Sequence, residues 1–446
     1  MSEVTTSVRI TTVISGPVRR SDRIDSLDVM RGVALLGILL MNIIAFGLPF
    51  ATYYNPSVAG IDNPANLWAY IVNWLFFEGT MRALFSMLFG AGMVLMTTRA
   101  EERGAGIEAA DVYYRRLLWL ILFGVIDAYL LLWVGDILFL YGIAGLFLFV
   151  FRGLAPRTLF LIGVAMLVVL GIKNVNASNE LAELRQVTAE VESIRAAGGE
   201  PSREQLAAID HLEEIRTEFE PDPEQIQEQV EARHSGYIDQ VKYLVPLNIA
   251  AQSTLTYTLG IWDVLMMMFM GMALIKWGVF SAARSWGFYG AMVVVGYGIG
   301  LPINWYEVRM AIESGFAIEW SGIQYVSTYQ IGRAGTAAGH IGLIMMICKS
   351  GLFGFITKPL AAVGRMALTN YLAHSVICMF LFTGVGLAWF GELERYELYY
   401  VVGGIWLFQL IVSPIWLRYF RFGPMEWLWR SLTYAQTQPM RRSPPG

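Results

Sequence analysis

Eight side chains stand where their types could do chemistry in an otherwise apolar chain. Asn42, Asp127, Arg333 and His340 lie deep in apolar runs, and Arg31, Arg115, Arg116 and Arg365 lie at the ends of such runs. The first four offer the parts of a group-transfer site. His340 or Asp127 could accept a proton, and Asn42 or Arg333 could stabilise an oxyanion. Arg31 could line a mouth for an anionic ligand at a membrane boundary, and Arg365 could meet phosphate. An ionisable group in hydrocarbon is costly unless paired or hydrated. The four deep residues are therefore expected to turn from lipid toward a shared wet chamber.

Plainer explanations compete. Asp28 and Arg31 are spaced i, i+3 at a helix start and could simply clamp it. Asn42 could bind a neighbouring helix. Asp127 could pair with Arg82 or Arg333, and Asp136 after Gly135 reads as a helix cap. Gln330, Arg333, Ala337 and His340 form one helical stripe, on which His340 could be a hydrogen-bonded interior histidine. Gly332, Gly335, Gly339 and Gly342 permit close helix approach. Asn370 and His374 share one face of their run, Arg365 and Thr369 another. Arg365 could also just snorkel. The sequence carries no metal-ligand spacing, phosphate-binding glycine loop or nucleophile elbow.

The elements that must position these residues are membrane spans. Of 446 residues, 56% are hydrophobic and 15% charged, outside the soluble profile. The net charge of −4 points to no nucleic-acid partner. Cys348 and Cys378 both lie in apolar runs, so no disulfide framework is implied. Runs of roughly 17–25 apolar residues suffice to cross a bilayer. Ten are marked: 28–48, 81–98, 115–133, 136–152, 156–173, 256–277, 284–303, 322–347, 359–385 and 398–419. The fold expected is all-α and polytopic, with two groups of five spans and no internal repeat.

Lys and Arg gather in alternate loops, among them Arg19, Arg20, Arg23, Arg99, Arg103, Lys276, Arg284, Lys349 and Arg430, while the opposite short loops hold only Arg82, Arg309 and Arg395. By the positive-inside rule both termini face the cytoplasm. The first 23 residues are polar and include Arg9; they lack a signal-peptide core, so the first span is the expected insertion signal. Residues 64–78 are apolar but too short to span, and Trp68, Tyr70 and Trp74 suggest a helix lying at the outer face. Residues 174–240 are rich in Glu and Gln. They read as an external helical insertion, with a capping box at Ser202 and Gln205, that is either a solvated acidic spacer or a binding module. The expected division is a tail 1–27, spans 28–173, the insertion, a second membrane group 241–434 and a tail 435–446.

Five blocks, SLDVMRGVALLGILLMNIIAFGLP (26–49), LFSMLFGAG (84–92), YYRRLLWL with WVGDILFLYG (113–142), GRMALTNYL (364–372) and IWLRYFRFGPMEWLWRSLTY (415–434), resemble the YeiB family of bacterial inner-membrane proteins. The insertion lies outside the resemblance. That family is grouped with transmembrane acyltransferases such as heparan-α-glucosaminide N-acetyltransferase, which moves an acetyl group from cytoplasmic acetyl-CoA to a sugar amine across the membrane. The resemblance implies an acyl-CoA, acetyl-CoA first, as cosubstrate, with no metal. Asn42 aligns with an asparagine of that enzyme, but its catalytic histidine falls on Tyr53, a poor base at neutral pH. Asp127 likewise stands where YeiB-like chains often carry a histidine.

Three functions follow as expectations. The first is a membrane acyltransferase acting on a hydroxyl or amine at the outer face, with a sugar or lipid acceptor and the acyl-CoA phosphates met by Arg31, Arg115, Arg116 or Arg365. The second is a proton-coupled transporter or lipid flippase. The third is a scaffold whose insertion binds a partner. Membrane lipids are expected partners throughout, and a homodimer is the default assembly.

Overall fold

The computed structural model describes residues 24–104 and 106–442, and these fold into helices with no strand among them. Arg9, Arg19, Arg20, Arg23 and most of the expected N-terminal tail lie outside the described residues. The helix α1 (Asp25–Gly47) carries an apolar run with two acids in its first turn, where the helix dipole favours them. It runs from what we call the basic end of the bundle to the insertion end. After α2 (Pro64–Phe76), helix α3 (Thr80–Glu102) returns to the basic end. The hairpin α4 (Glu108–Tyr129) and α5 (Leu138–Leu148) goes out and back, and α6 (Pro156–Ala196) leaves the basic end again.

Beyond the bundle lie α7 (Arg203–Phe219) and α8 (Pro223–His234). The chain re-enters through α9 (Tyr237–Ala250), a π-helical stretch at Ala251–Gly260 and α10 (Ile261–Lys276). Next come α11 (Trp286–Glu313), the short α12 (Ile318–Ser321) and α13 (Tyr329–Ser350). Helices α14 (Gly354–Arg365) and α15 (Ala367–Phe382) meet at an 81° bend, and α16 (Leu398–Tyr419) is followed by the short α17 (Pro424–Thr433).

Among the described residues seven helical runs are long and apolar enough to cross a membrane, α2 counting with α3 and α9 with α10, or eight if the bent α14–α15 pair is one span. The expected runs 115–133 and 136–152 correspond to α4 and α5. The first carries Arg115, Arg116 and Asp127, and the second is a shorter apolar helix, so neither passes on length and composition. Residues 64–76 form α2, which is continuous with its neighbour rather than a separate segment. Helices α2 and α3 form one run of 39 residues with no sharp bend, and α2 packs on α11. Thirteen residues are too few to show from sequence that they extend a neighbour.

Burial divides the bundle. The spans of α1, α3 and α10 are mostly buried, while α6, α11 and α16 bury little and turn Val168, Val169, Val294, Val295, Leu407 and Phe408 outward. An exposed apolar belt on long helices suits contact with lipid chains. Glycine makes two crossings tight. At Gly32 and Gly364 the backbones of α1 and α14 touch, so a Cβ on either would strike carbonyl oxygens of the other helix. Gly335 of α13 packs its backbone on Gly300 and Gly296 of α11, and a Cβ on Gly339 would strike the Tyr297 ring.

The expected boundary at 173 falls in mid-helix. The α6 helix has 41 residues, about 60 Å at 1.5 Å each, so it crosses about 30 Å of hydrocarbon and projects as far again. Its projecting half packs on α7, and the pair docks on the bundle through Leu181, Phe219 and Ile318 with Tyr54 and Tyr325 beside them. Arg185 pairs with Glu319 at 2.5 Å, and His234 Nε2 meets the Phe390 carbonyl at 2.8 Å. Arg233 is buried under the Phe390 ring, and burial pushes its guanidinium down to about 10. The insertion is thus seated on its own chain, with the capping box at Ser202 and Gln205 formed.

Candidate functional site

The basic end opens into a cavity of about 310 Å³ between α1, α3, α4, α15 and the segment that carries α17. Six arginines line it: Arg31, Arg99, Arg116, Arg365, Arg421 and Arg430. The two lining carboxylates, Asp28 and Glu426, are already engaged. Arg31 donates to Asp28 at 2.8 Å. Glu426 accepts the Leu368 and Thr369 amides at 2.6 and 3.0 Å and the Thr369 hydroxyl at 2.6 Å, capping α15 just past the bend. Burial raises the Glu426 carboxyl above its ordinary range against the pull of these donors. The mouth is therefore rich in cationic groups and suits an anion with several charges.

The α17 segment forms one wall. The Arg116 guanidinium lies 3.6 Å from the centre of the Trp429 ring, whose Nε1 donates to the Arg116 carbonyl at 2.9 Å. The expected phosphate-binding set divides here. Arg31, Arg116 and Arg365 share the cavity, whereas Arg115 pairs with Asp111 and donates to the Thr433 carbonyl at 3.1 Å on the outside of the same wall.

Above the mouth the walls become apolar, with Leu88, Phe89, Leu117, Leu120 and Leu138. Along α3 the lining runs from Arg99 to Phe85, fourteen residues or about 21 Å, most of a hydrocarbon thickness. Two phenols close this bore, Tyr141 and Tyr371. The Tyr141 hydroxyl shares a hydrogen bond with Ser86 at 2.7 Å, and the Tyr371 oxygen accepts the Ile137 amide at 3.1 Å.

Behind Tyr371 lies an acid pair. Asp136 caps α5 by accepting the Leu138 and Phe139 amides at 3.0 and 2.8 Å, as the sequence suggested. The same carboxylate rests against Gly124 of α4, one turn before Asp127. Asp127 is wholly buried beside Asp136 and Ser375, and among the described residues neither of its oxygens closes a hydrogen bond. The Trp133 indole N–H is buried beside Tyr371, its ring stacked 3.8 Å from Phe46.

Behind Tyr141 lies a second polar cluster, and Arg333 belongs to it. Arg333 pairs with Asp263, and Asp263 also takes Arg82 at 3.3 Å. Arg82 reaches the Tyr329 hydroxyl at 3.3 Å; Tyr329 and Tyr53 both donate to Glu78, at 3.0 and 2.8 Å. Tyr53 is therefore tied to a buried carboxylate. His340 stands apart: its Nδ1 meets the Thr336 carbonyl of its own helix at 3.0 Å and the Tyr297 hydroxyl at 3.2 Å. Asn42 is half-buried on α1 and lines no part of the cavity.

The four deep residues thus do not share one chamber. Asp127 backs one phenol of the bore, Arg333 sits in the cluster behind the other, and Asn42 and His340 lie elsewhere. The reading from sequence missed Tyr141, Tyr371, Glu78 and Asp263, and the α17 wall. Arg421 and Arg430 of that wall lie in the last of the five blocks, a signal that was present but gave no role. Among the described residues no group of three or more His, Cys, Asp or Glu could hold a metal ion.

Residues 274–436 match a family described as a protein of unknown function, DUF418. Uncharacterized protein YeiB of Escherichia coli is 31% identical over 423 residues, covering 93% of this chain and 97% of that protein. Uncharacterized protein YxaH of Bacillus subtilis is 27% identical over 445 residues, covering 96% and 98%. No solved structure matches the chain. An all-helical bundle with membrane-length spans and an end-to-end relative at this identity lead to one conclusion: the chain belongs to the YeiB-like family of membrane proteins.

Proposed function

We propose that the protein is an acyltransferase of the cytoplasmic membrane that takes an acyl group from acyl-CoA, acetyl-CoA first, and passes it to a hydroxyl or amine presented from the insertion end. The observation that carries this reading is the shape and charge of one cavity. A cationic mouth leads into an apolar bore about 21 Å long, with two phenols at its far end and buried acids behind them. A phosphorylated nucleotide with a long thin arm and a reactive end has that shape and that charge.

In this reading the basic end faces the cytoplasm and so do both termini. Arg31, Arg116 and Arg365 hold phosphates, and the thioester stops near Tyr141 and Tyr371. Arg115, Arg333, His340 and Asn42 take no direct part. Isothermal titration of purified protein with acetyl-CoA tests it. Binding at micromolar to submillimolar concentration is expected, and no heat up to about 1 mM would overturn the reading.

A transport reading draws on the α14–α15 break beside the cavity, since broken helices often mark transport paths. Acyl-CoA binding with no acyl transfer to any amine or alcohol, together with flux in liposomes, would favour it.

A further inference from the structure

We infer that Asp127 and Asp136 form a proton-holding pair at the closed end of the cavity and that Tyr371 connects it to the bore; this rests on the acyl-transfer reading. Three observations converge. Asp127 is completely buried, and among the described residues neither of its oxygens closes a hydrogen bond, an arrangement that penalises the charged carboxylate most. Asp136 lies against the same face of α4, brought there by its cap on α5. Tyr371 lines the cavity on one side and adjoins both carboxyls on the other. Two carboxyls held side by side, Asp127 wholly buried and Asp136 half-buried, accommodate one shared proton more readily than two charges. A pair in that state can take a proton and give it back.

The helix α15 explains the placement. Leu368, Tyr371 and Ser375 recur at i, i+3 and i+7 on its cavity face, so phenol and serine both reach the acid pair. The alternate stripe, Asn370 and His374, faces away to Ser413 and Gln409, at 3.1 and 3.2 Å.

The chemistry balances without another reagent. The acceptor oxygen or nitrogen bonds to the thioester carbonyl carbon, and the carbon–sulfur bond breaks. The acceptor's proton goes to the Tyr371 oxygen as the Tyr371 proton moves to the pair. The departing thiolate then takes a proton back by the reverse path and leaves as free CoA. Tyr371 would touch the reacting atoms, whereas Asp127 and Asp136 act through it.

Infrared difference spectroscopy of the full-length protein in H₂O and D₂O, before and after acetyl-CoA, tests this beside titration calorimetry. The wild type should show a deuterium-sensitive carboxylic-acid C=O band that shifts when acetyl-CoA binds. Asp127→Asn should lose the band while keeping acetyl-CoA affinity within about threefold. Tyr371→Phe, which keeps the cavity wall, should keep the band but lose its response to acetyl-CoA. Acetyl-CoA binding with no such band, or with a band unmoved in the wild type, overturns the pair. Absence of binding heat instead overturns the acyl-CoA reading, and the two failures are told apart by the calorimeter.

Discussion

Replacing Arg116 by Gln tests the cationic mouth most directly. Arg116 is a lining arginine whose guanidinium lies close on an aromatic face, 3.6 Å from the centre of Trp429 against 4.6 Å for Arg430 over Phe422, so it is held in place before a ligand arrives. A hydrogen bond to a charged group in such a setting contributes about 1.5–3 kcal/mol. At about 1.4 kcal/mol per factor of ten, its loss should raise the acetyl-CoA dissociation constant about 10- to 100-fold. Arg116→Lys keeps the charge but not the planar fork and should fall between. Arg115→Gln is the internal control, because Arg115 pairs with Asp111 outside the cavity, and it should shift affinity less than threefold. Raising salt should weaken the wild type more than Arg116→Gln, since exposed phosphate contacts are screened. The assay is titration calorimetry on detergent-solubilised protein. Equal effects from Arg115 and Arg116, or none from Arg116, would refute the assignment of the mouth to phosphates.

Other expectations concern the frame around the site. Asp263→Leu strands the buried Arg333 and should destabilise by about 3–5 kcal/mol, read as a large drop in melting temperature; an unchanged melt would show that the pair carries no weight. Gly364→Val forces a side chain into the α1 backbone and should cost about 1–3 kcal/mol or prevent folding, whereas Gly404→Val on α16, where a Cβ meets open space, should be neutral in the same thermal assay. His340→Gln should leave acetyl-CoA affinity unchanged, because its ring is tied to Thr336 and Tyr297 away from the cavity. A loss above tenfold would return His340 to the site.

The all-helical class and most of the long apolar helices were legible because length and apolarity are properties of a single segment. Packing is not. Arg333 and His340 lie on one side of α13, and from that stripe alone both seemed to face one chamber. The partner of Arg333 is Asp263, a lone acid in an otherwise apolar helix that gave no reason for notice; the partner of His340 is largely its own helix. Asp127 and Asp136 are nine residues apart across a hairpin, and only the Asp136 cap, which turns that carboxylate back onto Gly124, brings the two together. The basic end was readable as a set of arginines. That three of them share a cavity with Arg421 and Arg430 depends on where α17 folds back, and no local pattern carries that. The 81° bend at Met366 was likewise hidden inside one apolar run, 359–385.

Because α6 passes unbroken from the bundle into the insertion, its length there is a matter of angular phase. Each added residue turns everything beyond it by about 100°. One alanine placed between Lys173 and Leu181 would swing Leu181 away from Phe219 and Ile318 and unseat the insertion. Seven would return it to within about 20° of its bearing, only farther out. Bearing and reach are thus both fixed by the number of residues between the bundle and Leu181, like two gears set on one shaft, so the seating of the insertion tolerates neither a turn nor a lengthening of α6.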